Sequence, residues 1–325
     1  MRDRLARHVP LLSALAILGA MFAFGAARYE HFASLRTITS LFAEYSFVGI
    51  AAVGATFVIL AGGIDLSVGA VIAATSIFVA TRVDAGWHPL VAFAVALPCG
   101  ALLGTIHGWL IRAFELPAFI VTLAGMYAVR ALGFVIAPQN LAIDHPFFTW
   151  SSRSAVLDLG DGATLPLRAL AFVFVLAVGI VVATRTPFGR HVFAIGGSEK
   201  SARSMGVPVS RRVVQVYALA GLCSAAAGCV FTLYKSSGDP ASAVGLELDV
   251  IAAVVIGGTL LSGGVGSVAG TLVGVLILGL IRTLIDFEGT LDAAWTGVAI
   301  GVLLLVFVGL QHRVTTRLSA RSPST

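Results

Sequence analysis

Asp65 lies directly after Gly62-Gly63 in an otherwise apolar stretch, FVILAGGIDLSVGAVIA (residues 57–73). A carboxylate in a run apolar enough to enter a bilayer is costly and normally faces a cavity or a partner. Two chemistries are open to it. Asp65 or Ser67 can cap backbone N–H groups freed where Gly63 lets the helix open, or Asp65 can contact a polar solute directly. Arg130, within LPAFIVTLAGMYAVRALGFVIA, poses a similar choice. It can face an aqueous pathway and hydrogen-bond a hydroxylated or anionic solute, or it can snorkel or pair with another helix. A second break, VIGGTLLSGGVGSVAGTLVG (residues 255–274), contributes Gly257, Gly258 and Ser262. Free backbone groups in hydrocarbon are so unfavourable that broken helices persist only where buried in protein or lining a cavity. Gly62, Gly63, Asp65, Ser67, Arg130, Gly257, Gly258 and Ser262 are therefore the candidate pathway residues. Glu247 and Asp249 sit in the first turn of a following helix, where acidic residues complement the dipole, so they require no proton coupling.

Covalent chemistry has no residues to work with. The P-loop pattern needs glycines that free N–H groups for phosphate, and neither Lys200-Ser201 nor Lys235-Ser236 follows them. No H-E-x-x-H or G-x-S-x-G pattern occurs. Cys99, Cys223 and Cys229 lie in apolar runs without metal-ligand spacing. The chain is expected not to be an enzyme and to hold no metal or cofactor. If it transports actively, an ion gradient or a separate ATPase must supply the energy.

The elements that position these residues follow from composition. Of 325 residues, 58% are hydrophobic and 11% charged, against about 25% charged in soluble domains. Continuous apolar runs, not short alternating ones, exclude a β-barrel and give an all-α polytopic transmembrane helical bundle forming one domain over residues 1–325. Ten apolar segments are expected, at about 9–27, 46–62, 66–82, 89–111, 117–137, 168–184, 213–234, 248–262, 266–285 and 292–311. The second and third, and the eighth and ninth, are short and can be re-entrant or discontinuous. The first follows Arg2, Arg4 and Arg7 and reads as a retained span, not a cleaved signal peptide.

The formal charge of +5 does not indicate nucleic acid. Basic residues concentrate on one side, at both termini, at Arg112, and at Arg185, Arg190, Lys200, Arg203, Arg211 and Arg212, which places both termini in the cytoplasm and the chain among membrane lipid. Fewer fall opposite: Arg28, Arg36, Arg82, Arg153, Arg168, Lys235 and Arg282. Two loops are long, an outer one at about 138–167 and an inner one at about 185–212. In the inner loop Gly196-Gly197 reads as a turn, Ser198 as an N-cap, Gly206 as the residue that ends a short helix, and Pro208 as the block to its continuing. Such a helix suits docking to another protein, or is an ordinary surface helix.

An internal repeat joins the two breaks. Ile50-Ala51-Ala52-Val53 precedes the first and Ile251-Ala252-Ala253-Val254 the second, each followed by a glycine pair, a leucine-serine pair and a further apolar run. Repeated broken helices point to a pathway between the halves. The alternative is that both are small-residue packing surfaces.

The set GGIDLSVG (62–69), LPAFIVTLAGM (116–126), AIGGSEKSARSMGV (194–207), LDVIAAVVIGGTLLSGGVGSVAGTLVG (248–274) and AWTGVAIGVLLLVFVGLQ (294–311) resembles the ribose-type permeases of ABC sugar importers. Within that family, IDHP (143–146), FEGTL (287–291) and both glycine breaks most resemble the permease subunit of a galactofuranose importer. The resemblance implies a bacterial inner-membrane subunit that works with an ATP-binding subunit, a second permease chain in a heterodimer, and a periplasmic sugar-binding protein. It also implies that the loop with Gly196, Gly197, Ser198, Ala202 and Gly206 couples to the ATPase, although only an A-x-x-x-G skeleton of the related EAA-type loop remains. A branched-chain amino acid permease shares much of this architecture. An ion-coupled secondary transporter would need no ATPase, and a proton-coupled one would bury several titratable groups along its route. A passive scaffold would not need broken helices.

Overall fold

The computed structural model describes residues 2–153, 156–160, 162–290 and 294–319. Among them the first half of the chain forms α1 (Arg2–Arg28), α2 (Leu35–Glu44), α3 (Ser46–Leu60), α4 (Val68–Asp84), α5 (Pro89–Ala113), α6 (Ala118–Ile136) and α7 (Pro146–Arg153). The second half forms α8 (Leu167–Arg185), α9 (Pro187–Gly197), α10 (Glu199–Ser204), α11 (Val209–Lys235), α12 (Leu246–Ile256), α13 (Val268–Glu288) and α14 (Ala294–Ser319). Residues 291–293, which include the last position of FEGTL and the start of the final expected span, lie outside the described residues, as does Arg321.

α11 is the axis of the bundle. It is apolar on all sides and buried along most of its length, as a central helix must be. Small residues let its neighbours approach to backbone contact. Gly100, Gly104 and Gly108 of α5 face Gly221, Tyr217 and Val214 of α11, so the two helices run antiparallel. α3 also runs antiparallel to α11, with Phe47 against Phe231 and Gly54 against Ala220 and Cys223. α4 returns alongside α11, its Thr75 against Gly228. α3 and α4 thus form a hairpin that turns at residues 61–67, beside Tyr217. α12 and α13 form a second hairpin, with Ala253 against Gly274 and Gly257 against Gly270. The Thr56 and Thr271 hydroxyls, 2.7 Å apart and buried, tie the two hairpins together.

Six described helices are long and apolar enough to cross a membrane: most of α1, and α5, α6, α8, α11 and α13. A seventh results if α2 and α3, bent by 58° at their junction, count as one span. Ten apolar segments are expected from the sequence, so these six or seven described spans stand beside shorter helices that fall under the length test. The cause is the breaks themselves, which cut α3, α4 and α12 to 15, 17 and 11 residues. At the helical rise, the shortest covers about 16 Å of a hydrocarbon core about 30 Å thick. The outward faces of α5, α6 and α8 carry Leu102, Trp109, Phe119, Tyr127, Phe174 and Val181, all exposed, as expected of helices against lipid tails.

Candidate functional site

The inner loop folds as a short capped helix. The Ser198 hydroxyl accepts from the Ser201 N–H at 3.2 Å, opening α10. Gly206 closes it at φ +79°, its N–H donating to the Arg203 carbonyl and that of Val207 to the Ala202 carbonyl. Only a residue at ease with positive φ ends a helix this way. Ala202 is fully buried toward the bundle, whereas Lys200, Arg203 and Met205 face outward, Met205 at 71% exposure. Glu199 is gripped by Arg112 of α5 (2.9 and 3.3 Å) and by Arg203 (2.8 Å). The hydrogen bonds from Arg112 lead in holding its carboxyl below the usual range.

The residues just before α10 meet both glycine breaks. Leu60, the last residue of α3, accepts a backbone hydrogen bond from Gly264 of the second break at 2.9 Å. A Cβ on Gly196 would overlap that same Leu60 oxygen and the Gly264 nitrogen. A Cβ on Gly264 would lie 2.6 Å from the Gly197 nitrogen, and one on Gly263 2.8 Å from the Gly62 nitrogen. Three separate segments therefore touch main chain to main chain, at a seam that admits no side chain at Gly196, Gly263 or Gly264.

The first break is held by polar side chains. Asp65 is 5% exposed, and its Oδ1 accepts from the Ser67 N–H at 2.8 Å and the Ser67 hydroxyl at 2.6 Å. This closes a turn just ahead of α4; Ser67 stands at the N-cap of that helix and makes no side-chain cap hydrogen bond. The Ile64 carbonyl accepts from the Tyr217 hydroxyl (3.3 Å), and the Thr122 hydroxyl, which donates chiefly to the Ala118 carbonyl (3.0 Å), lies 3.4 Å from it. His107 of α5 is 3% exposed, its Nδ1 lacks a partner, and its ring packs on Gly125 of α6.

Arg130 does not point at open space. Its guanidinium donates to the carbonyls of Ser242 (2.5 Å), Pro240 (3.3 Å) and Ala243 (3.5 Å). The irregular segment 239–245 descends beside α4 until Ala243 and Glu247 reach Gly69. Non-helical backbone at that depth needs donors from protein, and Arg130 supplies them. Its partner is thus a loop backbone, in place of another helix. Glu247 and Asp249 occupy the first turn of α12 as expected, and Glu247 Oε2 is buried without a hydrogen bond. Among the described residues no cluster of His, Cys, Asp and Glu is placed to hold a metal ion.

The model of the family described as "Branched-chain amino acid transport system / permease component" matches residues 37–308. The chain belongs to this permease family. It is 43% identical over 98% of its length to the inner membrane ABC transporter permease protein YjfF of Escherichia coli, covering 96% of that protein. It is 40% identical over 85% of its length to the ribose import permease protein RbsC of Bacillus subtilis, covering 84%. It is 35% identical over 94% of its length to the fructose import permease protein FruG of Bifidobacterium longum, covering 91%. No solved structure matches it at a significant level.

In this permease the glycine pairs match differently from the expected alignment. The register that sets Ile50 opposite Ile251 also sets Gly62-Gly63 opposite Gly263-Gly264, and of these Gly62 meets Gly263. Gly257 instead packs α12 onto Gly270 of α13, which is the small-residue packing role. Gly258 takes φ +96° in the turn after α12, and Ser262 is exposed beside Gly62. Tyr217, Thr122 and His107 escaped sequence reasoning. Single polar residues in apolar helices form no pattern, and only the three-dimensional position of the Ile64 carbonyl assigns the two hydroxyls a purpose.

Proposed function

We propose that this permease forms the solute pathway of a monosaccharide importer in the bacterial inner membrane, driven by ATP hydrolysis on a separate subunit. The observation that carries the reading is the seam where Gly196-Gly197 touches both glycine breaks. A force applied to α10 acts within one residue contact on the end of α3 and on the turn of the second hairpin. Lys200, Arg203 and Met205 are the exposed face offered to the ATPase, with Gly196, Gly197, Ser198, Ala202 and Gly206 shaping the coupling element. Both termini and α10 lie on the cytoplasmic side in this reading, and Gly62, Gly63, Asp65, Ser67, Arg130, Gly257, Gly258 and Ser262 support or border the pathway.

The names of the relatives, import permeases for ribose and fructose, favour a sugar over a branched-chain amino acid, which the family description also embraces. Galactofuranose is the specific sugar proposed, on the motif resemblance, with a second, different permease chain and a periplasmic sugar-binding protein as partners. Reconstitution tests the reading. Alone in liposomes the chain moves no sugar uphill; with ATPase, second permease and binding protein it accumulates galactofuranose on ATP addition. Concentrative uptake by the lone chain under an ion gradient would establish secondary transport instead, and ATP-driven uptake of leucine in preference to sugar would establish the amino acid branch.

A further inference from the structure

We propose that Glu199 and Arg112 form a strut that ties the coupling helix to the α5–α11 pair, so that α10 drives the glycine breaks against a fixed reference instead of carrying the whole bundle with it. This rests on the importer reading above, in which α10 receives the ATPase.

Besides the chain itself, which runs from α10 through residues 205–208 into α11, two contacts lead away from α10. One is the glycine seam, which reaches the ends of α3 and of the second break. The other is the ion pair, which reaches α5 at Arg112, close to its end at Ala113. Arg112 is 19% exposed, and its fork grips both carboxylate oxygens of Glu199, at 2.9 and 3.3 Å. Fork-to-carboxylate pairing fixes direction as well as distance. α5 then passes any displacement to α11 almost rigidly. Gly104 and Gly108 lie so close to α11 that a Cβ on Gly104 would overlap the Tyr217 carbonyl, and a Cβ on Gly108 would be 2.7 Å from the Val214 Cα. The same α11 residue, Tyr217, hydrogen-bonds the Ile64 carbonyl inside the first break. The two contacts from α10 therefore converge on one turn, at Leu60 and at Ile64. With only the glycine seam and the short chain link to α11 intact, α10 has no hold on α5. With the ion pair as well, a shift of α10 bears on the break and on its α5–α11 support together.

Glu199 is a positioning residue in this scheme. It contacts no solute, and Arg203, its other partner, stands one helical turn away on α10 itself and anchors it to nothing else.

The test uses the assembled transporter, with ATPase, second permease and binding protein in proteoliposomes. Sugar uptake and ATP hydrolysis are measured together, and assembly is checked by gel filtration. Arg112→Glu and Glu199→Arg are each expected to lower sugar moved per ATP by at least about five-fold. The double variant R112E/E199R restores the pair in reverse and recovers most of the ratio. Arg112→Lys keeps the charge, loses the fork and falls between, which provides a reading if the charge reversals fail to assemble. Single variants with parental coupling overturn the strut, as does a double variant that assembles but is no better coupled than the singles. Absence of ATP-driven uptake in the parent transporter would instead refute the importer reading itself.

Discussion

The two glycine breaks answer one physical problem with different materials. At residues 61–67 the chain bonds itself only at the start, Gly62 and Gly63 N–H donating to the Ile59 and Val58 carbonyls at 2.9 Å, and side chains do the rest: Asp65 closes the turn ahead of α4, while Tyr217 from α11 and, at longer range, Thr122 from α6 reach the Ile64 carbonyl. At residues 257–267 the chain satisfies itself. Leu260 N–H donates to the Val265 carbonyl at 2.9 Å, Gly263 N–H to the Leu260 carbonyl at 3.0 Å, and a neutral hydroxyl, that of Ser267, caps α13 through Gly270 N–H at 2.9 Å. The first turn is anchored to the bundle; the second is self-contained and leans on it through Gly264 alone among its backbone donors to α3. The difference teaches that the two halves of the repeat are not equivalent in what they can resist. The first is the natural abutment, and the second is the part free to move.

Gly196 bears on both breaks, so Gly196→Val is expected to have the largest effect, a loss of about 3 kcal/mol from overpacking or outright failure to fold. Thermal unfolding in detergent measures it. Gly197→Leu is its control: no atom stands within 4 Å of a Cβ there. Its stability should stay within about 0.5 kcal/mol of the parent while pull-down of the ATPase weakens, and an unchanged pull-down would argue against the docking role.

Asp65→Ala against Ser267→Ala sharpens the contrast directly. The first strands the buried N–H and hydroxyl of Ser67 and should cost about 2–3 kcal/mol; the second removes an ordinary N-cap and should cost about 1 kcal/mol. Equal losses in chemical unfolding would erase the proposed asymmetry. Tyr217→Phe deletes one long hydrogen bond to a carbonyl that Thr122 still serves, for a loss of about 0.5–1 kcal/mol.

The smallest effect expected is a pH dependence at the loop. Arg112 depresses the Glu199 carboxyl, so the ionised pair contributes stability above the ordinary glutamate range and loses it as pH falls through the lowered folded-state value. The difference between parent and Glu199→Gln should be constant above about pH 5 and shrink below about pH 4. A difference that grew on acidification would have the wrong sign.

How much of this was legible in the sequence depends on the range of the cause. α10 could be read in advance because Ser198 and Gly206 act on their own neighbours, and the breaks because glycine pairs interrupt apolar runs locally. The pairing of Gly62 with Gly263 was not legible, since GG occurs twice in the second break and only packing chooses between them. Arg130 was narrowed to solute, snorkel or helix partner, and missed its loop for the same reason: residues 240–243 come near it only when the chain folds back beside α4. The ten apolar segments do not all become helices long enough to cross alone, because the glycines cut α3, α4 and α12 short.

The link from Leu60 to Gly264 is made of amide atoms alone. Alanine at Gly196 or Gly264 would report a clash and not the loss of this bond, and a library of side-chain variants would credit its role to whichever neighbour was crowded. Replacing the peptide between Gly263 and Gly264 with an ester, which removes that single proton and little else, is the change that would make the joint visible.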